Sequence, residues 1–110
     1  MYFPLSQDEQ DAILQALPLL LLDPKLPDFQ ESIVDSHIDS ISEKFLSSHA
    51  PLEPAQAALI KQAVSLAFAL LEGKPTPFAP FLAADFFLKL APFRSTIRQL
   101  HRRLAPLTFH

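Results

Sequence analysis

Residues 54–73 read PAQAALIKQAVSLAFALLEG, an apolar stretch that begins with proline and ends with the only glycine of the chain. Proline suits the first position of a helix, because its missing N–H is not needed there. Gly73 suits the position just after a helix, where the backbone turns left-handed. Between them the polar side chains Gln62, Ser65 and Glu72 share one narrow stripe. We therefore predict a buried helix, since it is apolar on most of its circumference.

Prolines separate helix-forming stretches throughout the 110-residue chain, which holds 11 prolines and a single glycine. Leu and Ala together supply 34 residues, whereas the β-branched residues Ile, Val and Thr supply 11. Strands favour β-branched residues, and tight hairpins need turn glycines. The composition therefore predicts an all-α fold. We expect one domain over residues 1–110, a four- to five-helix bundle with proline-containing breaks between the helices.

Two helices are predicted before the central one. Ser6 and Glu9 have the spacing of a capping box, which opens the first helix. That helix stops or kinks at Pro18, and residues 19–22 form a short buried continuation. In the second helix, apolar residues recur at steps of four, three and four, at Val34, Ile38, Ile41 and Phe45. This spacing is typical of an amphipathic helix, which we expect to end near Ser48.

Prolines also divide the C-terminal part of the chain. Pro80 is expected to begin a fourth helix that runs through Leu90. Pro92 either starts a fifth helix or kinks a long fourth one. The last segment carries a narrow apolar stripe at Phe93, Ile97, Leu100 and Leu104. The segment is therefore predicted to be amphipathic, with bases near its end that complement the negative helix terminus.

Charge is divided unevenly between the two halves of the chain. Residues 1–55 hold ten acids and two bases, a net charge of −8, and residues 56–110 hold two acids and seven bases, a net charge of +5. Such asymmetry indicates either charged surfaces that orient a partner or faces that are solvated or paired within the fold. The candidate charged partner-binding residues are Asp35, Asp39, Arg94, Arg98 and Arg102.

The sequence contains no recognisable catalytic, metal or cofactor motif. The absence of cysteine excludes disulfides, zinc–thiolate sites and thiol nucleophiles. The histidines are not at helical ligand spacing, and the serines lack the glycine-flanked elbow of hydrolases. We therefore expect a protein that is not an enzyme and binds no cofactor. The longest charge-free stretch has 11 residues, and a membrane span needs about 20. We expect no membrane span and a cytoplasmic location.

The third and fourth helices are both apolar nearly all round, although a bundle of this size has room for about one central helix. Part of the fourth helix is therefore expected to meet a partner. Its candidate apolar binding residues are Phe81, Phe86, Phe87 and Leu90. The alternative is that other segments of the chain cover this helix: residues 19–22, Tyr2, Phe3, Leu107 and Phe109.

These features favour a non-enzymatic helical module that works by protein–protein contact, as an adaptor, inhibitor or immunity-type protein. The expected partner is another protein or, most simply, a second copy in a homodimer. An alternative is a small nucleic-acid-associated factor that uses the last helix, although the acidic pI of about 5.7 makes nucleic acid the less expected partner. A third hypothesis, a ligand-binding or catalytic bundle, requires polar groups such as His37 to converge on an inner cavity.

Overall fold

The computed structural model describes residues 5–22, 28–47 and 51–107. Within these ranges there are five α-helices and no strand, so the predicted all-α bundle is confirmed. The helices are α1 (Gln7–Ala16), α2 (Asp28–Leu46), α3 (Pro54–Leu71), α4 (Pro80–Leu90) and α5 (Arg94–Leu104). Two 3₁₀ segments, Leu17–Leu22 and Ala91–Phe93, follow α1 and α4 directly.

The predicted capping box opens α1. The Glu9 carboxylate accepts a hydrogen bond from the Ser6 backbone N–H at 2.9 Å, and the Ser6 hydroxyl accepts one from the Glu9 N–H at 3.2 Å. Two N–H groups at the helix start are thereby satisfied. Local sequence chemistry alone therefore sets where the first helix begins.

Pro18 ends α1, but the chain continues as a tight helix. Leu17 keeps α geometry, with φ −53° and ψ −40°. The ring of the following Pro18 disfavours that geometry. Burial explains the difference, because Leu17, Leu19 and Leu20 all lie in the core. Each such side chain contributes about 1.5–3 kcal/mol on burial, more than the local backbone penalty. The predicted buried continuation over residues 19–22 is confirmed for Leu19 and Leu20, whereas Leu21 and Leu22 are half-buried.

The helix α3 is the centre of the bundle and packs against α1, α4, α5 and the 3₁₀ segment Leu17–Leu22. By length and composition alone it is apolar enough to cross a membrane, with a mean hydropathy of 1.3. The core helix of a soluble protein meets the same criterion, and 44% of α3 is buried here. Its inward side carries Ala57, Ile60, Ala63, Val64, Ala67, Leu70 and Leu71.

Three contacts show that α3 and α5 run antiparallel. Near the end of α3, Glu72 pairs with Arg98 of α5. One turn earlier Phe68 stacks on His101, and near the middle of α3 the Lys61 ammonium donates to the Leu107 carbonyl at 2.6 Å. The predicted apolar stripe of α5 faces inward between these contacts: Ile97, Leu100 and Leu104 are buried and Phe93 is half-buried. The narrow stripe of α5 thus completes the core.

The helix α2 is more peripheral. Of its predicted apolar face, only Ile41 is buried, while Val34, Ile38 and Phe45 are half-buried against the core. A buried polar side chain, Gln56 of α3, ties α2 to the bundle. Its amide donates to the Ser40 hydroxyl at 3.0 Å and accepts from the Lys44 ammonium at 2.7 Å. The helix ends at Leu46, two residues before the predicted position.

Candidate interaction site

The fourth helix turns one side toward the core, and this side includes a residue predicted to bind a partner. Leu90 is fully buried, so its assignment to the exposed surface was wrong. Phe86 is half-buried and packs against the core beside Ala83. Residues 83, 86 and 90 are spaced by three and four, so they share a face of the helix, and that face lies against the bundle.

The opposite side of α4 is apolar and exposed. Phe81 and Leu88 each expose 74% of their surface, and Phe87, at the boundary, exposes 37%. Phe81 and Leu88 are seven residues apart, two helical turns, with the exposed Ala84 between them. We call Phe81, Ala84, Phe87 and Leu88 the α4 surface. Sequence reasoning identified Phe81 and Phe87 but missed Leu88, which the seven-residue spacing from Phe81 could have indicated.

A shallow apolar groove of about 450 Å³ runs beside this surface. Ala83 and Ala84 are small, so they leave space between the larger side chains around them. The groove is lined by Leu70, Ala83, Ala84, Phe87 and Leu88. Protruding side chains and a recess for a side chain therefore lie next to each other on one helix.

The exposed edge of the α4 surface carries a charge pair. Lys89 lies 3.2 Å from Asp85, four residues earlier, and both side chains are more than half exposed. The Lys89 ammonium also lies 5.1 Å from the centre of the Phe86 ring. A polar rim beside an apolar centre is the usual arrangement of protein interfaces.

Two of the predicted arginines are already paired within the chain. The Glu72 carboxylate accepts two hydrogen bonds from Arg98, at 3.1 Å and 2.6 Å, and lies 3.6 Å from the Arg94 guanidinium. The hydrogen bond from Arg98, opposed by partial desolvation and aided by the charges of Arg98 and Arg94, holds the pKa of Glu72 below its ordinary value. Arg102 has no ion-pair partner among the described residues.

A third arginine connects the two ends of the fold. Arg103 of α5 donates to the Glu9 carboxylate of α1. Partial burial favours a higher pKa for Glu9, but the Ser6 backbone N–H, the Arg103 charge and the Ser6 hydroxyl together hold that pKa below its ordinary value. Because these arginines have internal carboxylate partners, the last helix offers fewer cations to a phosphate backbone than its sequence implies.

The two acidic residues of α2 that were predicted to orient a partner lie in solvent. Asp35 and Asp39 are exposed, and His37 is half-buried. Within the described part of the chain, no three His, Asp or Glu side chains come together in a way that could hold a metal ion. The described polar groups therefore do not form the inner cluster that the catalytic hypothesis requires.

Some of the segments expected as an alternative cover for α4 lie among the described residues. Leu19 and Leu20 lie in the core, and Leu107 is half-buried beside the α3–α5 pair. Tyr2, Phe3 and Phe109 fall outside the described residues. None of the placed residues removes Phe81 or Leu88 from solvent. Comparison with known protein families, curated proteins and solved structures finds no match to this chain.

Proposed function

We propose that this protein is a non-enzymatic interaction module that docks onto a second copy of itself through the α4 surface. The observation that carries the proposal is the exposure of Phe81 and Leu88, two large apolar side chains on one face of a short helix. Covering each of them contributes about 1.5–3 kcal/mol. A contiguous exposed apolar patch is typical of a protein interface.

A second copy is favoured because the α4 surface is complementary to itself. In a two-fold symmetric dimer, the same patch of both subunits meets, so a protruding group and its recess must lie on one surface. Phe81 and Leu88 are exposed, and Leu88 also lines the groove at Ala83 and Ala84. Two α4 helices packed against each other would place the protruding side chains of each copy over the groove of the other.

The expected dimer is weak. An 11-residue helix is about 16 Å long, whereas a standard stable interface buries about 800 Å² on each partner. The α4 surface alone supplies only part of that area. The rim charges Asp85 and Lys89 would contribute orientation and little affinity. We therefore expect dissociation constants in the micromolar range, about 10–100 µM.

The predicted charged residues have different roles in this proposal. Arg94 and Arg98 share the Glu72 carboxylate, so they stabilise the fold more than they recognise a partner. Arg102, Asp35 and Asp39 stay exposed and are the charged side chains left to orient an approaching protein. The internal pairing of the arginines does not favour the nucleic-acid alternative.

The test is light scattering coupled to size exclusion, over protein concentrations of about 5–500 µM. Two variants each add one charge to the α4 surface. Phe81→Asp places an acid in the first turn of α4 and Leu88→Lys a base in its last turn, where each complements the helix dipole and spares folding. Leu46→Lys on α2 is the matched control, because Leu46 is 89% exposed and also ends a helix.

We expect the wild type and Leu46→Lys to change from monomer to dimer over this range. Phe81→Asp and Leu88→Lys should each raise the dissociation constant about 10-fold or more, since a desolvated charge would face the partner. A wild type that stays monomeric at the highest concentration would contradict the proposal. So would a Leu46→Lys variant that weakens the dimer as much as Leu88→Lys does.

A further inference from the structure

A second recess lies away from the α4 surface, on the outer side of the antiparallel α3–α5 pair. It has a volume of about 330 Å³ and is open to solvent. We call it the basic cleft, and it is lined by Phe68, Glu72, Arg98, His101 and Arg102. One side of the cleft is aromatic and its rim is charged. An aromatic surface packs against the apolar body of a ligand, and a charged rim binds its ionic group.

The aromatic wall is a stacked pair of rings. The centres of the Phe68 and His101 rings are 4.0 Å apart, and their planes differ by 4°. The Lys74 ammonium lies 4.9 Å from the centre of the Phe68 ring. These contacts restrict the rotation of both rings, so the wall is formed before any ligand arrives.

The rim carries an excess of positive charge. Four cationic side chains lie in or beside the basic cleft, those of Arg94, Arg98, Arg102 and Lys74, and among the described residues the only carboxylate there is that of Glu72. Glu72 occupies the Nε and Nη2 donors of Arg98. The exposed Arg102 keeps its whole guanidinium group for a further acceptor, because no described carboxylate pairs with it.

We propose that the basic cleft binds the carboxylate of a ligand whose apolar body packs against the Phe68–His101 wall. A guanidinium group matches a carboxylate through two parallel hydrogen bonds, and Arg102 provides one such open group. Inorganic phosphate fits less well, because it has no apolar body to pack against the Phe68–His101 wall. The ligand is thus a monocarboxylate, either a free small molecule or an acidic side chain of a peptide. This proposal does not depend on the α4 surface.

The experiment is a titration of the ¹⁵N-labelled full chain, followed by amide and arginine Nε chemical shifts. The probes are 4-phenylbutyrate, its uncharged amide, inorganic phosphate and a blocked Phe-Glu dipeptide. We expect saturable shifts at Arg102, His101 and Phe68 with phenylbutyrate, and a dissociation constant of about 1–10 mM. The amide and phosphate should bind about 10-fold more weakly or not at all.

Two variants of Arg102 test whether binding requires the guanidinium group or only a positive charge. Arg102→Gln and Arg102→Lys should each weaken phenylbutyrate binding, by about 10-fold and about threefold respectively. Both should fold normally because Arg102 is exposed and unpaired in the described structure. Lys89→Gln on α4 removes the same charge at a residue that does not line the cleft, and it should leave binding unchanged.

The outcomes either support or overturn the site. Tighter binding of the dipeptide would assign the natural carboxylate to a protein partner, and tighter binding of phenylbutyrate would assign it to a small molecule. The absence of saturable shifts at the cleft at about 50 mM probe would overturn the proposal. The proposal would also be overturned if phosphate or the amide bound as tightly as phenylbutyrate does. The same holds if Lys89→Gln lowered the affinity for phenylbutyrate as much as Arg102→Gln does.

Discussion

At the end of α3 the backbone of Gly73 has φ +73°, the left-handed value that the sequence predicted there. The Lys74 N–H donates to the Ala69 carbonyl at 2.8 Å, and the Gly73 N–H donates to the Leu70 carbonyl at 3.3 Å. This pair of hydrogen bonds is a Schellman motif, which satisfies carbonyl groups that a helix end leaves free. It also directs the chain out of α3 toward α4.

Replacing Gly73 with alanine tests the importance of that conformation. A new Cβ would have no neighbour within 4 Å, so the effect comes from the backbone alone. The left-handed conformation costs a non-glycine residue about 1–2 kcal/mol, partly offset by a stiffer unfolded chain. We expect Gly73→Ala to lower the free energy of unfolding in urea by about 1 kcal/mol. Gly73→Asn should lose less, since asparagine tolerates this region, and equal losses would argue against a conformational cause.

At the scale of elements, α2 differs from the other helices in how it is held. It has a thin apolar contact, with only Ile41 buried in its described face. Part of its attachment is polar and passes through Gln56, which is 2% exposed. Few buried apolar contacts are typical of segments that open locally before the whole protein unfolds. We therefore expect α2 to open more readily than α1, α3 and α5, each of which has three or more buried residues.

Gln56→Ala should loosen α2 and the first turn of α3. The change removes the acceptor of Lys44 and the donor to Ser40, and it leaves both groups partly buried without that partner. It also removes the acceptor of the Glu53 backbone N–H at the start of α3. We expect a loss of about 1–2 kcal/mol in the free energy of local opening, measured by amide hydrogen exchange in α2. The control is Gln62→Ala, because Gln62 is exposed and lies on α3, the same helix as Gln56. A uniform loss of protection in α2, α3 and α5 would contradict a local role.

At the scale of the whole molecule, ion pairs connect helices that are far apart in sequence. Glu9 of α1 pairs with Arg103 of α5, and Glu72 pairs with Arg94 and Arg98. Glu9 belongs to the acidic N-terminal half, so its pair with Arg103 offsets part of the charge difference between the halves, whereas Glu72 lies within the basic half itself. The charge asymmetry of the sequence is thus partly resolved inside the fold.

These pairs predict how stability depends on pH. In the folded state, the pKa of both Glu9 and Glu72 lies below the ordinary value of 4.5. The unfolded chain therefore binds more protons near that pH, and the stabilisation is complete above pH 4.5 and lost as the pH falls through the folded pKa. We expect the urea midpoint of the wild type to fall between about pH 5 and pH 3.

The variant Glu9→Gln/Glu72→Gln should show a smaller fall over the same range. Glutamine at position 9 can still complete the capping box, so the change mainly removes charge. Asp85→Asn is the control, because Asp85 forms only an exposed pair within α4. An unchanged pH dependence in the double variant, or an equal reduction in Asp85→Asn, would contradict this assignment.

The candidate site was only partly predictable, and α4 illustrates why. Its sequence is apolar on nearly every side, so periodicity does not indicate which face packs inward. Leu90 was expected outside but is buried, whereas Leu88 is exposed. The pairing of Glu72 with Arg98 was also hidden, because these residues are 26 positions apart. In α5, by contrast, the apolar stripe is narrow, and the buried residues follow directly from it.

The all-α architecture and several helix ends, at Ser6, Pro18, Gly73 and Pro80, follow from local sequence alone. Those features depend on the local chemistry of the backbone: a missing N–H, a capping side chain or freedom to adopt positive φ. Packing between the helices sets which side of α4 is exposed and which arginines pair with acids. Such outcomes depend on contacts between residues distant in sequence, and those contacts exist only once α3 has packed against α4 and α5.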